Sequence, residues 1–186
     1  NRAQNKLNVP MHYVIDNIAA NGLGQAALPY GKARIFQQDG RGSDAFIGED
    51  WGDFTPIDDS MTLYLGLARD IVIQRTIAKR ERQRIKGNLY DYAVVVRYEI
   101  ENFKDSTADL RVVEDILALH REVLGGSGQG RDPQWELQSA TTLQGPDLSE
   151  SDFQRLALSA QLPPRQADGK AQKQVHELHL VFKNEW

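Results

Sequence analysis

The sequence predicts an all-β, antiparallel β-sandwich, Ig- or fibronectin-like in general architecture, with long hairpins and at most one or two short helices. Three observations predict it. Apolar side chains recur at every second position across most of the chain, the period of a half-buried strand. Turn-forming residues separate these segments at short intervals, giving about nine or ten strands. Helical periodicity is weak everywhere outside two short stretches.

The clearest strand starts at Tyr90. Tyr90, Tyr92, Val94, Val96, Tyr98 and Ile100 share one face, and Asp91, Ala93, Val95, Arg97, Glu99 and Glu101 share the other. Its β-branched and aromatic content suits a pleated surface. Asn102, Lys104, Asp105 and Ser106 form a turn, and the apolar pattern resumes from Leu110 to Leu119. Earlier strands are expected at Met11 to Ile18, at Lys32 to Gln37 after the Pro29–Tyr30–Gly31 turn, and at Met61, Leu63 and Leu65. Phe46 and Ile47 precede an acidic turn, and Ile71 and Ile73 open a further strand. Trp135 and Leu137 begin another. Leu156, Leu158, Ala160 and Leu162 alternate until Pro163 and Pro164 end the pattern. In the last strand His176, Leu178, Leu180 and Phe182 face one way. The two helix candidates are Ile116 to Leu124 and Glu150 to Leu156, the second with Ser149 as cap and Asp152 in its first turn. Gly125 to Asp132 and Pro163 to Lys173 read as long polar loops.

A chain of 186 residues suffices for a core without staples. The reading favours one domain over residues 1–186, the C-terminal fragment of a longer protein, with a boundary near Arg69 as the alternative. Net charge is −4 and cysteine is absent. No global basic field attracts nucleic acid, and thiolate nucleophiles and cysteine metal sites are excluded. No apolar stretch is long enough for a transmembrane helix.

Two charged stretches stand out. Gln74 to Lys86 holds Arg75, Lys79, Arg80, Arg82, Arg84 and Lys86 against Glu81 alone. It reads either as a partner-binding surface for a protein or polysaccharide, or as an edge strand kept from aggregating by charge. Asp39 to Asp59 is rich in carboxylates. Oxygen-rich loops can bind calcium, but its spacing matches no known calcium pattern; it reads as a solvated turn shaped by Gly48 and Gly52, with a calcium-stabilised domain as an open alternative. Beside it, Trp51, Phe54 and Tyr64 suggest a carbohydrate-binding platform, with Glu49 and Asp50 as an acid pair if the site were carbohydrate-active. A third possibility pairs the basic strand with the acidic loop. His176 and His179 fall on opposite strand faces and cannot share a metal. No nucleophile elbow, P-loop or dinucleotide motif occurs. The reading is therefore non-enzymatic, with no metal and no cofactor. Long flat hairpins leave edge-to-edge homo-oligomers open.

LPYGKARIFQQD (Leu28 to Asp39), FIGEDWGDFTP (Phe46 to Pro56), LYLGLARDIVIQRT (Leu63 to Thr76), YEIENFKDSTADLRVVED (Tyr98 to Asp115) and Trp135 to Ser139 resemble, in order, the C-terminal β-rich domain of bacterial proteins labelled mucoidy-inhibitor-A-like. The sequence departs from that pattern at Tyr30, Trp51, Asp53 and the GGSGQG loop. The resemblance implies a non-catalytic structural or interaction module of a bacterial envelope or secreted protein, periplasmic or extracellular, preceded by a coiled coil.

Overall fold

A computed structural model describes residues 6–125, 132–147 and 151–185. Strand makes up 61 % of the described residues and helix 7 %, so the fold is all-β and antiparallel, as the alternation predicts. The chain divides into two compact units, residues 8–69 and residues 1–7 with 70–186. The division between the units falls after Arg69.

The larger unit contains a five-stranded antiparallel sheet in the order β1-β6-β7-β11-β9. Its strands are β1 (Lys6–Leu7), β6 (Ile71–Lys86), β7 (Leu89–Asn102), β9 (Gln134–Thr141) and β11 (Gln172–Glu185). A two-stranded ladder of β8 (Ala108–Asp115) and β10 (Arg155–Leu162) and one helix, α1 (Ile116–Leu124), complete it. Alternation decides which sheet face is covered. Val94, Val96, Tyr98 and Ile100 of β7 and Leu178, Leu180 and Phe182 of β11 are buried, as are Leu156, Leu158, Ala160 and Leu162 of β10 and Leu110 and Val112 of β8. Each fully buried aliphatic or aromatic side chain contributes about 1.5–3 kcal/mol. The opposite face of β7 stays half-exposed and polar, with Arg97 paired to Glu177 at 2.7 Å and Lys173 to Glu99 at 2.7 Å.

The helix occupies the residues its periodicity marked. Asp115 caps it by accepting from the Ala118 amide at 2.8 Å, and Gly125 ends it in the left-handed conformation. Ile116, Leu119, His120, Val123 and Leu124 are buried, a spacing that lays one stripe on the core.

The second helix candidate is not formed. Arg155 and Leu156 belong to β10, and Asp152 accepts from the Gln154 and Arg155 amides at 2.7 and 2.8 Å. That local turn satisfies the backbone and stops a helix from starting; Ser149 and Glu150 lie outside the described residues. Most of the Gly125 to Asp132 loop also lies outside them. In the Pro163 to Lys173 loop, Gln172 and Lys173 already belong to β11. The preceding residues are tied back by Arg165, whose amide donates to the Lys104 carbonyl at 2.8 Å and whose side chain pairs with Asp105 at 2.5 Å.

The smaller unit consists of two antiparallel ladders, β2 (Pro10–Asp16) with β5 (Ser60–Leu67) and the hairpin of β3 (Gly31–Gln38) with β4 (Asp44–Gly52). Buried Asn17 organises its loops. The side-chain amide donates to the carbonyls of Ala26, Thr55 and Pro56 at 2.9–3.2 Å, and its oxygen accepts from the Gly24 amide at 2.9 Å. Gly24 has a φ of +77°, and a Cβ there would meet the Ala19 nitrogen at 2.6 Å.

Candidate interaction surface

The acidic segment is not the solvated loop expected from its composition. Glu49, Asp50 and Trp51 lie inside β4, because Gly48 to Gly52 pairs with Ile35 to Gly31. Gly52 is buried in a strand, and a Cβ there would collide with Met61 Sδ; its role is close approach of β4 to β5, not turn geometry. The turn lies earlier, where Asp39 accepts from the amides of Arg41 and Ser43 at 2.7 and 3.1 Å. Glu49 is held below the ordinary carboxylate range by its hydrogen bond and ion pair to Lys32 at 2.8 Å, with Arg34 adding to the effect. Asp50 is lowered by the amides of Tyr64 and Trp51 at 2.7 and 2.8 Å. Among the described residues no three His, Asp or Glu side chains are grouped to hold a metal ion.

The aromatic trio does not form one platform. Trp51 stacks on Tyr30, centroids 5.4 Å apart and planes 14° apart, with Lys32 Nζ 5.6 Å from the Trp51 centroid. Tyr64 contacts the His12 ring instead, at 5.5 Å. Phe54 is 64 % exposed and has no ring partner among the described residues. Tyr30, which no spacing argument singled out, replaces both as the partner of Trp51. The hairpin pairing Gly31 with Gly52 and Lys32 with Trp51 puts the rings together.

The basic stretch splits in two. Arg75 is mostly buried and committed. Its guanidinium donates to both Glu114 oxygens, at 2.6 and 3.1 Å, and to Glu122 at 2.9 Å. Tyr98 donates its hydroxyl to the same Glu114. Burial alone would weaken the charged form of Arg75, but the two carboxylates outweigh it and raise its pKa; burial and the Glu114 charge raise that of Tyr98. Arg75 therefore joins β6 to β8 and α1, its charge met by two carboxylates.

From Ala78 to Lys86, by contrast, β6 is exposed throughout. The hairpin with β7 extends past the core as an arm. A register irregularity separates Ile77 from Lys79, after which Arg80 faces Val94, Arg82 faces Tyr92 and Arg84 faces Tyr90. Residues directly opposite share a sheet face, so three arginines and two tyrosines line one side of the arm. The Arg82 guanidinium lies 3.4 Å from the Tyr90 centroid, and that of Arg80 5.7 Å from Tyr92. Arg84 Nε donates to the Gly87 carbonyl at 2.8 Å. Lys79 is neutralised by Glu81 at 2.6 Å. A second irregularity separates Arg84 from Lys86, so Lys86 does not simply continue the row. The aromatic partners were missing from the linear reading because they come from the next strand. The Gly87–Asn88 turn marks the hairpin, but counting outward from it sets Tyr90 against Ile85; the irregularity between Arg84 and Lys86 is what brings Tyr90 to Arg84.

His176 is buried, its Nδ1 2.6 Å from Thr142 Oγ1, while His179 sits on the open face 3.5 Å from Glu177. A polar hollow of about 150 Å³ on the open face is lined by Val72, Gln74, Glu99, Glu101 and Lys173, and the ion pair of Lys173 with Glu99 occupies part of its wall.

No family model matches the chain, and neither a curated protein nor a solved structure is detectably similar to it.

Proposed function

We propose that this protein is a non-catalytic interaction module whose contact surface is the exposed β6–β7 arm, meeting an anionic partner. One observation carries the reading. Arg80, Arg82 and Arg84 stand in a row with no carboxylate paired to them among the described residues, whereas Arg75, Arg97, Lys173 and Lys183 all have acidic partners. Two exposed tyrosine-backed guanidiniums form a pre-organised anion surface. The resemblance to mucoidy-inhibitor-A-like domains supports placing the module in a bacterial envelope or secreted protein. The test compares retention of the wild type and of the triple variant Arg80→Glu/Arg82→Glu/Arg84→Glu on heparin and on poly-glutamate over a salt gradient. Loss of salt-sensitive retention with an unchanged circular-dichroism spectrum supports the arm; undiminished retention removes it.

The Tyr30–Trp51 stack favours a second reading, carbohydrate binding. Both rings are more than half exposed, and the Lys32–Glu49 pair beside them supplies hydrogen-bonding groups. Hydrolysis is a poorer fit than binding, because a general acid needs a raised pKa and Glu49 and Asp50 are both lowered. Glycan-array binding that disappears in Trp51→Ala supports this reading; an array blank for the wild type removes it.

A further inference from the structure

Among the described residues the outer edge of β6 is almost bare. On that side β1 pairs only with Ile73 and Gln74, and beyond them no described strand continues the ladder along Arg75 to Lys86. The inner edge of the same segment is held in register to β7 from Leu89 to Val95. Among the described residues the arm is therefore a formed strand with one unfilled row of backbone donors and acceptors, the template to which an extended peptide adds.

Resting on the reading of the arm as the contact surface, we propose that β6 from Arg80 to Arg84 accepts an extended acidic peptide as an added strand, with carboxylates at alternate positions. Arg80, Arg82 and Arg84 are two residues apart, which on a strand is about 6.6–6.8 Å. Any strand laid beside β6 repeats side chains on that face at the same interval. Acidic residues at every second position then meet the three arginines one for one, while the backbone ladder sets the register. Stacking Arg82 on Tyr90 orients the guanidinium face against the ring and leaves its in-plane N–H groups for a carboxylate. A second copy of this chain is the wrong occupant. Antiparallel pairing of two β6 edges about Arg82 would set Arg80 against Arg84 and Arg82 against itself, and like charges directly opposite destabilise a ladder.

The test uses the whole chain and four fluorescent synthetic peptides that span the Arg80–Arg84 row. One alternates glutamate with threonine, and one has the same composition with its glutamates in a block. The other two carry the alternating sequence N-methylated on one or the other alternate set of backbone nitrogens. The alternating peptide is expected to bind about tenfold or more tighter than the block isomer, and only one of the two N-methylated peptides should lose comparable affinity, because only alternate amides face the edge. Binding should vanish in Arg82→Glu, and the alternate amides between Arg80 and Arg84 that face away from β7 should gain exchange protection. Equal binding of all four peptides would overturn strand addition while leaving the arm as a surface that reads charge alone. Retention on heparin without binding of any peptide would also overturn it, in favour of a polysaccharide partner. Failure of heparin, poly-glutamate and every peptide to bind would bring down the arm reading and this inference together.

Discussion

At the scale of single residues, the polar groups inside the structure matter more than the exposed charges. Arg75, Glu114 and Tyr98 form one connected set, and removing Glu114 leaves the buried Tyr98 hydroxyl without its acceptor and Arg75 with Glu122 alone. Glu114→Ala is expected to lower unfolding stability by about 3–5 kcal/mol in a urea titration. Replacing the pair together, Arg75→Met with Glu114→Leu, should cost much less than the single change. Asn17 makes a comparable node from backbone groups, and Asn17→Ala strands several of them; a loss of about 2–3 kcal/mol in the same titration is expected. His176 adds a pH dependence. Burial lowers its pKa, opposed in part by a hydrogen bond that the ring donates to the Thr141 backbone carbonyl. The unfolded state therefore binds a proton more readily than the folded state. The stability tied to a neutral His176 is complete above its ordinary pKa of 6.5 and is lost as the pH falls through and below that value. The midpoint of thermal unfolding should fall between about pH 7 and pH 5 by more in the wild type than in His176→Gln.

At the scale of elements, the β6–β7 hairpin changes character along its length. Up to Ile77 its inward face is core; beyond the irregularity at Ala78 the same face carries arginine and tyrosine. Charge reversal at Arg80, Arg82 and Arg84 should accordingly leave the urea midpoint almost unmoved, within about 0.5 kcal/mol, while abolishing polyanion retention. The contrast with Glu114→Ala separates the two halves of one strand by measurement. In the smaller unit the close approach of β4 to β5 depends on Gly52. Gly52→Ala is expected to cost about 1–3 kcal/mol by overpacking against Met61, and in the double variant with Met61→Ala the combined loss should be less than the sum of the two separate losses in the same assay.

At the scale of the whole molecule, the core is unevenly shared. The smaller unit contributes Val9, Met61 and Leu63 to the buried apolar set, and the remaining buried apolar side chains belong to the larger one. Burial sets stability, so calorimetry is expected to show two transitions, the smaller unit melting first. Leu63→Ala should shift only the lower transition and Leu180→Ala only the upper. A single transition moved by both variants would show that the units unfold as one.

Alternation along a strand is a local property, since successive side chains point to opposite faces whatever the strand packs against. For that reason the sequence by itself determined the all-β class, the buried faces of β7, β10 and β11, and the bounds of α1, where capping at Asp115 and Gly125 acts within one turn. It also placed His176 and His179 on opposite faces. Whatever depends on which strand lies beside which was decided only in three dimensions. Glu49 and Asp50 read as a turn by composition, but pairing with β3 drew them into a strand. Arg75 read as one cation of six until β8 and α1 brought two carboxylates to it. The trio of Trp51, Phe54 and Tyr64 gave way to Trp51 with Tyr30, and the arginines of β6 acquired their tyrosines from β7. Cross-strand neighbours are separated by the length of the intervening chain, and hydrogen-bond register, not spacing along the sequence, chooses them.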